Sequence, residues 1–77
     1  MRISILNPQK TIYECNAKQI SLPGEGEEFT VLDFHQPAFF CLGSGVIKIE
    51  DESHTTIPVR YGFARMASNE LSVLVEA

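Results

Sequence analysis

Several features that would assign the chain to a large functional class are missing from its sequence. No apolar run approaches the roughly 18–20 residues that a membrane-spanning helix needs, so we expect any membrane association to come through a protein partner. The N-terminal segment MRISILNPQK has only a short apolar run, interrupted by Ser4 and stopped by Pro8, which predicts neither a signal peptide nor an anchor. The six Lys and Arg residues are scattered along a chain of net charge -4, so nucleic acid is not an expected partner.

Motifs for cofactors and metals are missing as well. The glycines at positions 43, 45 and 62 match neither GxGxxG nor a P-loop, so no phosphate-binding loop is predicted. The histidines His35 and His54 occur without a Cys-x-x-Cys pattern, which argues against a zinc site. A nucleophile formed by Cys41 and His35 is disfavoured because Cys41 lies in an apolar run that is expected to pack inward. We therefore expect no cofactor, and an enzyme is the least favoured class.

Cysteine is scarce. Cys15 and Cys41 could form one disulfide. Two cysteines without a signal peptide are more typical of reduced thiols in a protein on the cytosolic side, and cysteine packs readily as a small hydrophobe. We therefore expect two free, partly buried thiols.

What the chain does have is the composition of a small folded protein. Of its 77 residues, 44% are apolar and 21% are charged, which is ordinary for a globular domain and argues against disorder. A chain of this length buries only about 60–65% of its unfolded surface. We expect one domain, residues 1–77, with one small core.

Apolar residues alternate with polar ones in short segments, as they do in half-buried strands. Ile3 and Ile5 begin this pattern, and Asn7-Pro8 supplies the first turn. In the segment 12–22 the apolar face changes parity midway. A bulge or sharp bend is therefore expected near Lys18-Gln19, such as sandwich strands use when they cross between sheets.

The second half of the chain continues the series of short strands. One strand is predicted over Ile57–Phe63, with Pro58 indicating an edge position because it cannot donate to a ladder. The last segment fits either a helical stripe or a strand after a Ser68-Asn69 turn, and its two valines favour the strand. The prediction is an all-β fold, a small antiparallel β-sandwich of short strands. Its expected core includes Ile3, Ile5, Phe29, Val31, Ile47, Ile57, Val59, Phe63 and Val73.

The segment LPGEGEEFTVLDFHQP, residues 22–37, holds the most distinctive residues. Its three glutamates at positions 25, 27 and 28 could form a solvated acidic loop, a protein contact or a site for a hard metal ion, and the solvated loop is the favoured interpretation. Just beyond it, Phe39 and Phe40 point to opposite faces of a strand. One of them is then exposed, and an exposed Phe is a weak indication of a protein interface.

The same segment resembles the epsilon subunit of F-type ATP synthases. The spacing of its Pro-Gly turn, Glu-Phe pair, Val-Leu pair, His and second Pro matches that family. The similarity extends to MRISILNPQKTIYECNAKQISLPG, SGVIKIE and YGFARMASNELSVLVEA, and so to nearly the whole chain. The resemblance implies a non-catalytic β-sandwich at the foot of the central stalk, which couples proton translocation to ATP synthesis and hydrolysis. It further implies a peripheral location on the cytoplasmic face of the bacterial inner membrane.

The resemblance also implies two partners, the gamma subunit and the c ring. The positions that match the family's ring-facing loop are Gly26, Glu27 and Glu28. Those that match its gamma-facing segment are His35, Gln36, Pro37, Ala38 and Phe39.

Two departures from the family alter these expectations. The family usually has Gly where this chain has Thr30 and Phe34, and neither residue easily takes positive φ, so we expect a different loop conformation. Most family members continue into a helical hairpin that can inhibit ATP hydrolysis and sometimes bind ATP. This chain ends at Ala77, where that hairpin would begin, so we expect it to lack both functions. The alternative is a free-standing β-sandwich adaptor that binds some other protein.

Overall fold

Nine short strands form two sheets in the computed structural model, which describes residues 1–76. The strands are β1 (Arg2–Leu6), β2 (Thr11–Asn16), β3 (Gln19–Pro23), β4 (Glu28–Leu32), β5 (Ala38–Leu42), β6 (Gly45–Ile49), β7 (Thr56–Val59), β8 (Tyr61–Ala67) and β9 (Glu70–Glu76). One sheet has the order β2-β1-β9-β8-β5 and the other β4-β3-β6-β7. The predicted β-sandwich of short strands is confirmed. Within the described residues, no helix has the length and apolar character that crossing a membrane requires.

Strand direction is antiparallel in all but one of the pairs that the described residues form. The exception is β1 against β9, which run parallel with Ile3 beside Leu71 and Ile5 beside Val73. The sequence did not predict this pair. Alternation of apolar residues indicates which face a side chain occupies, but it does not indicate which strand lies alongside or in which direction that strand runs.

Within residues 1–76 the chain crosses between the sheets four times, at the connections β2–β3, β4–β5, β5–β6 and β7–β8. One lies between Asn16 and Gln19, where β2 leaves the five-stranded sheet and β3 enters the other, so the predicted bend near Lys18-Gln19 is confirmed. The last lies at Arg60, between β7 and β8. The predicted single strand from Ile57 to Phe63 is therefore wrong, although β7 does lie at a sheet edge, as Pro58 indicated.

The crossing at Arg60 explains an error in the predicted core. Val59 is buried before the crossing, but Phe63 after it is 47% exposed, because the inward parity changes when the chain enters the other sheet. In β8, Ala64 and Met66 point inward instead. Phe29 and Ile57 are partly buried and pack against the core. The other predicted core residues are confirmed as buried: Ile3, Ile5, Val31, Ile47, Val59 and Val73.

The last segment forms a hairpin, so the predicted strand is confirmed and the helical alternative is wrong. Ala67 pairs with Glu70 across a two-residue turn. Ser68 and Asn69 in that turn both have positive φ, 52° and 56°, which is the geometry of a type I′ hairpin turn. Leu71, Val73 and Val75 then face the core.

Both cysteines are free thiols, as predicted. Cys15 is half-buried, and this burial, with a smaller effect from Asp51, raises the pKa of its thiol. Cys41 is exposed, so its expected inward orientation is wrong. The reason is parity, since Leu42 is the buried residue at this end of β5 and its neighbour Cys41 points the opposite way.

Candidate functional site

The acidic turn, residues 24–27, joins β3 to β4. It is closed by a hydrogen bond from the Gly24 N–H to the Glu27 carbonyl, at 2.7 Å. A Cβ at Gly24 would lie 2.4 Å from the Phe29 ring, while Gly26 has φ of 86°. Glycine is needed at position 24 because the Phe29 ring lies so close, and at position 26 because the backbone has positive φ. The turn is consequently tight, and Glu25, Gly26 and Glu27 are exposed.

The carboxylates at this end of the molecule face solvent. Glu28 lies 3.6 Å from the Lys48 ammonium across the outer face of the four-stranded sheet, and both side chains are more than half exposed. Glu27 makes no ion pair with any residue that the structure describes. In residues 1–76, no three His, Cys, Asp or Glu side chains come together in a way that could hold a metal ion. The turn thus offers free carboxylates to basic or polar groups of a partner.

A second turn follows β4 at the opposite end. The His35 N–H donates to the Leu32 carbonyl at 3.1 Å, and Phe34 has φ of 61°. The expectation that Phe34 would avoid positive φ is wrong, whereas Thr30 lies in β4, paired with Ser21. The Phe34 N–H donates to Oδ1 of Asn69 at 2.7 Å, and this bond helps to hold the conformation. The Phe34 ring itself is 79% exposed.

The N-terminus fixes the other side of this turn. The Met1 ammonium donates to the Ala17 carbonyl at 2.7 Å and forms an ion pair with the Asp33 carboxylate. The Asp33 N–H donates to the Lys18 carbonyl at 2.8 Å. The hydrogen bond from the ammonium, with smaller help from its charge, lowers the pKa of Asp33. The turn is therefore held by the crossover between the sheets as well as by the last hairpin.

The segment from His35 to Phe39 leads from this turn into β5. Gln36, Pro37 and Phe39 are exposed, whereas His35 and Ala38 are half-buried. The His35 ring stands edge-on to the Phe40 ring at 5.9 Å between centroids. Phe39 is 71% exposed while Phe40 packs against the core, so the predicted opposite orientation of these two rings is confirmed. The segment is an exposed ridge supported from beneath by aromatic packing.

The two predicted groups of site residues lie apart, at opposite ends of β4. The acidic turn ends where the strand begins at Glu28, and the second turn starts where it ends at Leu32. A five-residue strand spans about 14–17 Å, which is a large part of a molecule measuring 26 × 23 × 21 Å. The structure thus brings the residues together within each group and separates the groups from each other. The exposure of Phe34 was not predicted from the sequence. The available signal was the position of this aromatic, non-glycine residue in a turn.

The chain resembles known proteins in sequence. The family model for the ATP synthase delta/epsilon chain, beta-sandwich domain, matches residues 1–77. The ATP synthase epsilon chain of the Cyanophora paradoxa cyanelle is 36% identical over 76 residues, which are 97% of this chain and 58% of that relative. The chloroplastic epsilon chain of Guillardia theta is 33% identical, with the same coverage. The chain thus spans somewhat more than half the length of the curated relatives it matches.

Solved structures show the same fold. A chain in the central stalk and c ring of the Tetrahymena thermophila mitochondrial ATP synthase matches with a TM-score of 0.81 at 15% identity, covering all of this chain and 63% of that one. A chain of the Euglena gracilis mitochondrial ATP synthase matches with a TM-score of 0.81 at 17% identity, covering 95% and 48% respectively. From the family model and the sequence relatives together, the chain belongs to the family of the ATP synthase delta/epsilon chain β-sandwich domain.

Proposed function

We propose that this protein is a central-stalk subunit of an F-type ATP synthase, in which it links the gamma subunit to the c ring. The observation that carries the proposal is the separation of the two candidate contact segments at opposite ends of β4. A rigid sandwich with one contact segment at each end has the geometry of a spacer between two partners. The family membership and the central-stalk structures with the same fold support this assignment.

The acidic end faces the c ring through Gly26, Glu27 and Glu28. Exposed carboxylates on a tight turn provide charge complementarity to basic or polar loops. Glu27 contributes most to this contact, because the charge of Glu28 is already offset in part by Lys48. Each exposed pair of this kind contributes roughly 0.2–1 kcal/mol, so the contact positions the subunit and does not by itself hold it on the ring.

The other end faces the gamma subunit through His35, Gln36, Pro37, Ala38 and Phe39. Phe39 is the anchor of this contact, since it is a large aromatic ring that stands 71% exposed beside Phe63, with 6.4 Å between ring centroids. Aromatic residues that become buried at an interface carry much of its binding energy. The contact with gamma is thus the stronger of the two.

The protein has no catalytic role of its own in this proposal. Residues 1–77 form one folding unit that transmits position and torque between the proton-driven ring and the nucleotide-hydrolysing head. It lies on the cytoplasmic face of a bacterial inner membrane and is held there by its partners.

Co-expression with gamma and c-ring subunits, followed by size-exclusion chromatography, tests the proposal. We expect the protein to co-elute with gamma alone and with the complete complex. A Phe39→Lys variant should fold and yet lose gamma, because a charge replaces the aromatic anchor. A matched Val46→Lys variant, which changes an exposed apolar residue of β6, should retain it. Failure of the wild-type protein to co-elute with gamma would favour the free-standing adaptor instead.

Charge reversal tests the acidic end separately. A Glu27→Lys variant should still bind gamma but should couple proton flow to ATP synthesis poorly in reconstituted vesicles, most clearly at low salt. The charge swap Glu28→Lys with Lys48→Glu keeps the internal pair while it reverses the charge at position 28. The single change Glu25→Lys, at the other exposed carboxylate of the turn, serves as the control. Normal coupling in the Glu27→Lys variant and in the swap would mean that the turn is only a solvated loop.

A further inference from the structure

The two sheets end in four edge strands, and three of these carry features that discourage pairing with another chain. Strand β7 is only four residues long and contains Pro58. Strand β2 carries Glu14, which forms an ion pair with Arg2, and its register with β1 is irregular. Strand β4 carries Glu28 beside Lys48 on its outer face. Proline, charge and irregular register are the usual protections of a sheet edge.

Strand β5 has none of these protections. It consists of Ala38, Phe39, Phe40, Cys41 and Leu42, and its register with β8 runs without interruption from Ala38 beside Met66 to Leu42 beside Gly62. Phe39 and Cys41 are exposed on its outer face. The strand therefore presents a regular, uncharged, apolar edge, which is the kind that accepts a further strand.

The residue order of β5 makes this edge self-complementary. We propose that β5 pairs antiparallel with β5 of a second copy of the chain, about a two-fold axis at Phe40. Phe39 then lies opposite Cys41 of the second copy, and the two Phe40 residues lie opposite each other. Within one copy, β8 places Phe63 beside Cys41. Phe39 of the second copy then extends this pair into a continuous row across the outer face. No like charges meet at the pairing, and such apolar cross-strand pairs are stabilising.

The pairing at β5 does not require the proposed role in the rotor. It does imply competition, because Ala38 and Phe39 belong both to β5 and to the segment proposed to contact gamma. The second copy therefore covers the apolar edge only while gamma is absent.

Disulfide trapping tests the register of the pairing. In the Phe39→Cys variant, the new thiol lies directly opposite Cys41 of the second copy, so mild oxidation should give a covalent dimer whose linkage joins positions 39 and 41. The wild-type protein should stay unlinked, because its two Cys41 residues lie two positions apart along the paired strands, about 8 Å from each other, which is beyond the roughly 7 Å reach of a disulfide. The variant Phe39→Cys with Cys41→Ser is the matched control and should stay unlinked. A monomer after oxidation, or a dimer with another linkage, would overturn the proposal.

Sedimentation equilibrium provides a second test that needs no oxidation. The wild-type protein should self-associate to twice its mass as its concentration rises toward about 1 mM. Cys41→Lys places a charge on the outer face of β5 without removing a core contact, and it should weaken association about tenfold or more, since two pairs per dimer are lost. Thr30→Lys places the same charge on the edge strand β4 and should leave association unchanged. A wild-type protein that is monomeric at 1 mM, or equal weakening by both variants, would contradict the proposed edge.

Discussion

Tyr13, Asp51 and Thr55 join the two sheets through a small hydrogen-bonded cluster. The Tyr13 hydroxyl donates to Oδ2 of Asp51 at 2.6 Å, and the Thr55 hydroxyl donates to the Tyr13 oxygen at 3.0 Å. The Thr55 N–H also donates to Asp51, at 3.1 Å. The hydrogen bond from Tyr13 lowers the pKa of Asp51, and the same bond raises the pKa of Tyr13.

These two shifts predict the pH range over which the cluster stabilises the fold. Asp51 has a lowered pKa in the folded state, so its contribution is present above the unfolded value of about 3.9 and is lost as the pH falls through the folded value. Tyr13 has a raised pKa, so its contribution is present below about 10 and is lost as the pH rises through the folded value. A Tyr13→Phe variant should have a lower urea midpoint than the wild type at pH 7. The difference between the two midpoints should shrink as the pH falls below about 4, and a difference that is independent of pH would contradict this account.

Phe63 and Met66 lie on opposite faces of β8, so truncating each of them should change the free energy of unfolding by a different amount. Met66 is buried in the core, whereas Phe63 is half exposed on the outer face. Met66→Ala should therefore cost about 2–5 kcal/mol in the free energy of unfolding, while Phe63→Ala should cost under about 1 kcal/mol. Urea denaturation measures both values. An equal loss in the two variants would mean that the inward parity of β8 is assigned wrongly.

The turn at Phe34 has a residue that disfavours the backbone conformation observed there, because Phe34 has positive φ. A non-glycine residue in the left-handed region costs about 1–2 kcal/mol, and glycine has its own entropic cost of roughly 0.5–1 kcal/mol. Because the Phe34 ring is largely exposed, little packing is lost when it is removed. Phe34→Gly should raise the free energy of unfolding by up to about 1 kcal/mol, whereas the β-branched change Phe34→Val should lower it. Destabilisation by glycine would show that the ring contributes to the fold.

At the scale of whole elements, the sequence predicted strands and turns well, because alternation and turn residues are local properties. The bend near Lys18-Gln19 and the Ser68-Asn69 turn are both where their residues indicated. The crossing at Arg60 was missed because the apolar alternation continues unbroken from Ile57 to Phe63. The parallel neighbours β1 and β9 come from opposite ends of the chain, so no local pattern could reveal them.

For the molecule as a whole, the fold and the family could be predicted from the sequence, but the arrangement of the candidate site could not. The motif in residues 22–37 indicated two contact segments, and the exposure of Glu27 and Phe39 agrees with that. Their separation along β4 is a property of the folded chain. Which partner meets which end stays a prediction. The curated relatives are longer than this chain. The expectations about a helical hairpin beyond Ala77 therefore stay predictions. Ala77 itself lies outside the described residues.

Site-directed crosslinking in the assembled complex tests the bridging role most directly. A single cysteine at Glu27, Gln36 or Ser53 would be introduced into a Cys15→Ser, Cys41→Ser background and labelled with a short photocrosslinker. Glu27 and Gln36 represent the two ends, and Ser53 is an exposed control in the loop after β6. We predict that position 27 crosslinks to a c subunit, that position 36 crosslinks to gamma, and that position 53 gives neither product. Crosslinks from positions 27 and 36 to the same subunit would contradict a subunit that spans from gamma to the ring.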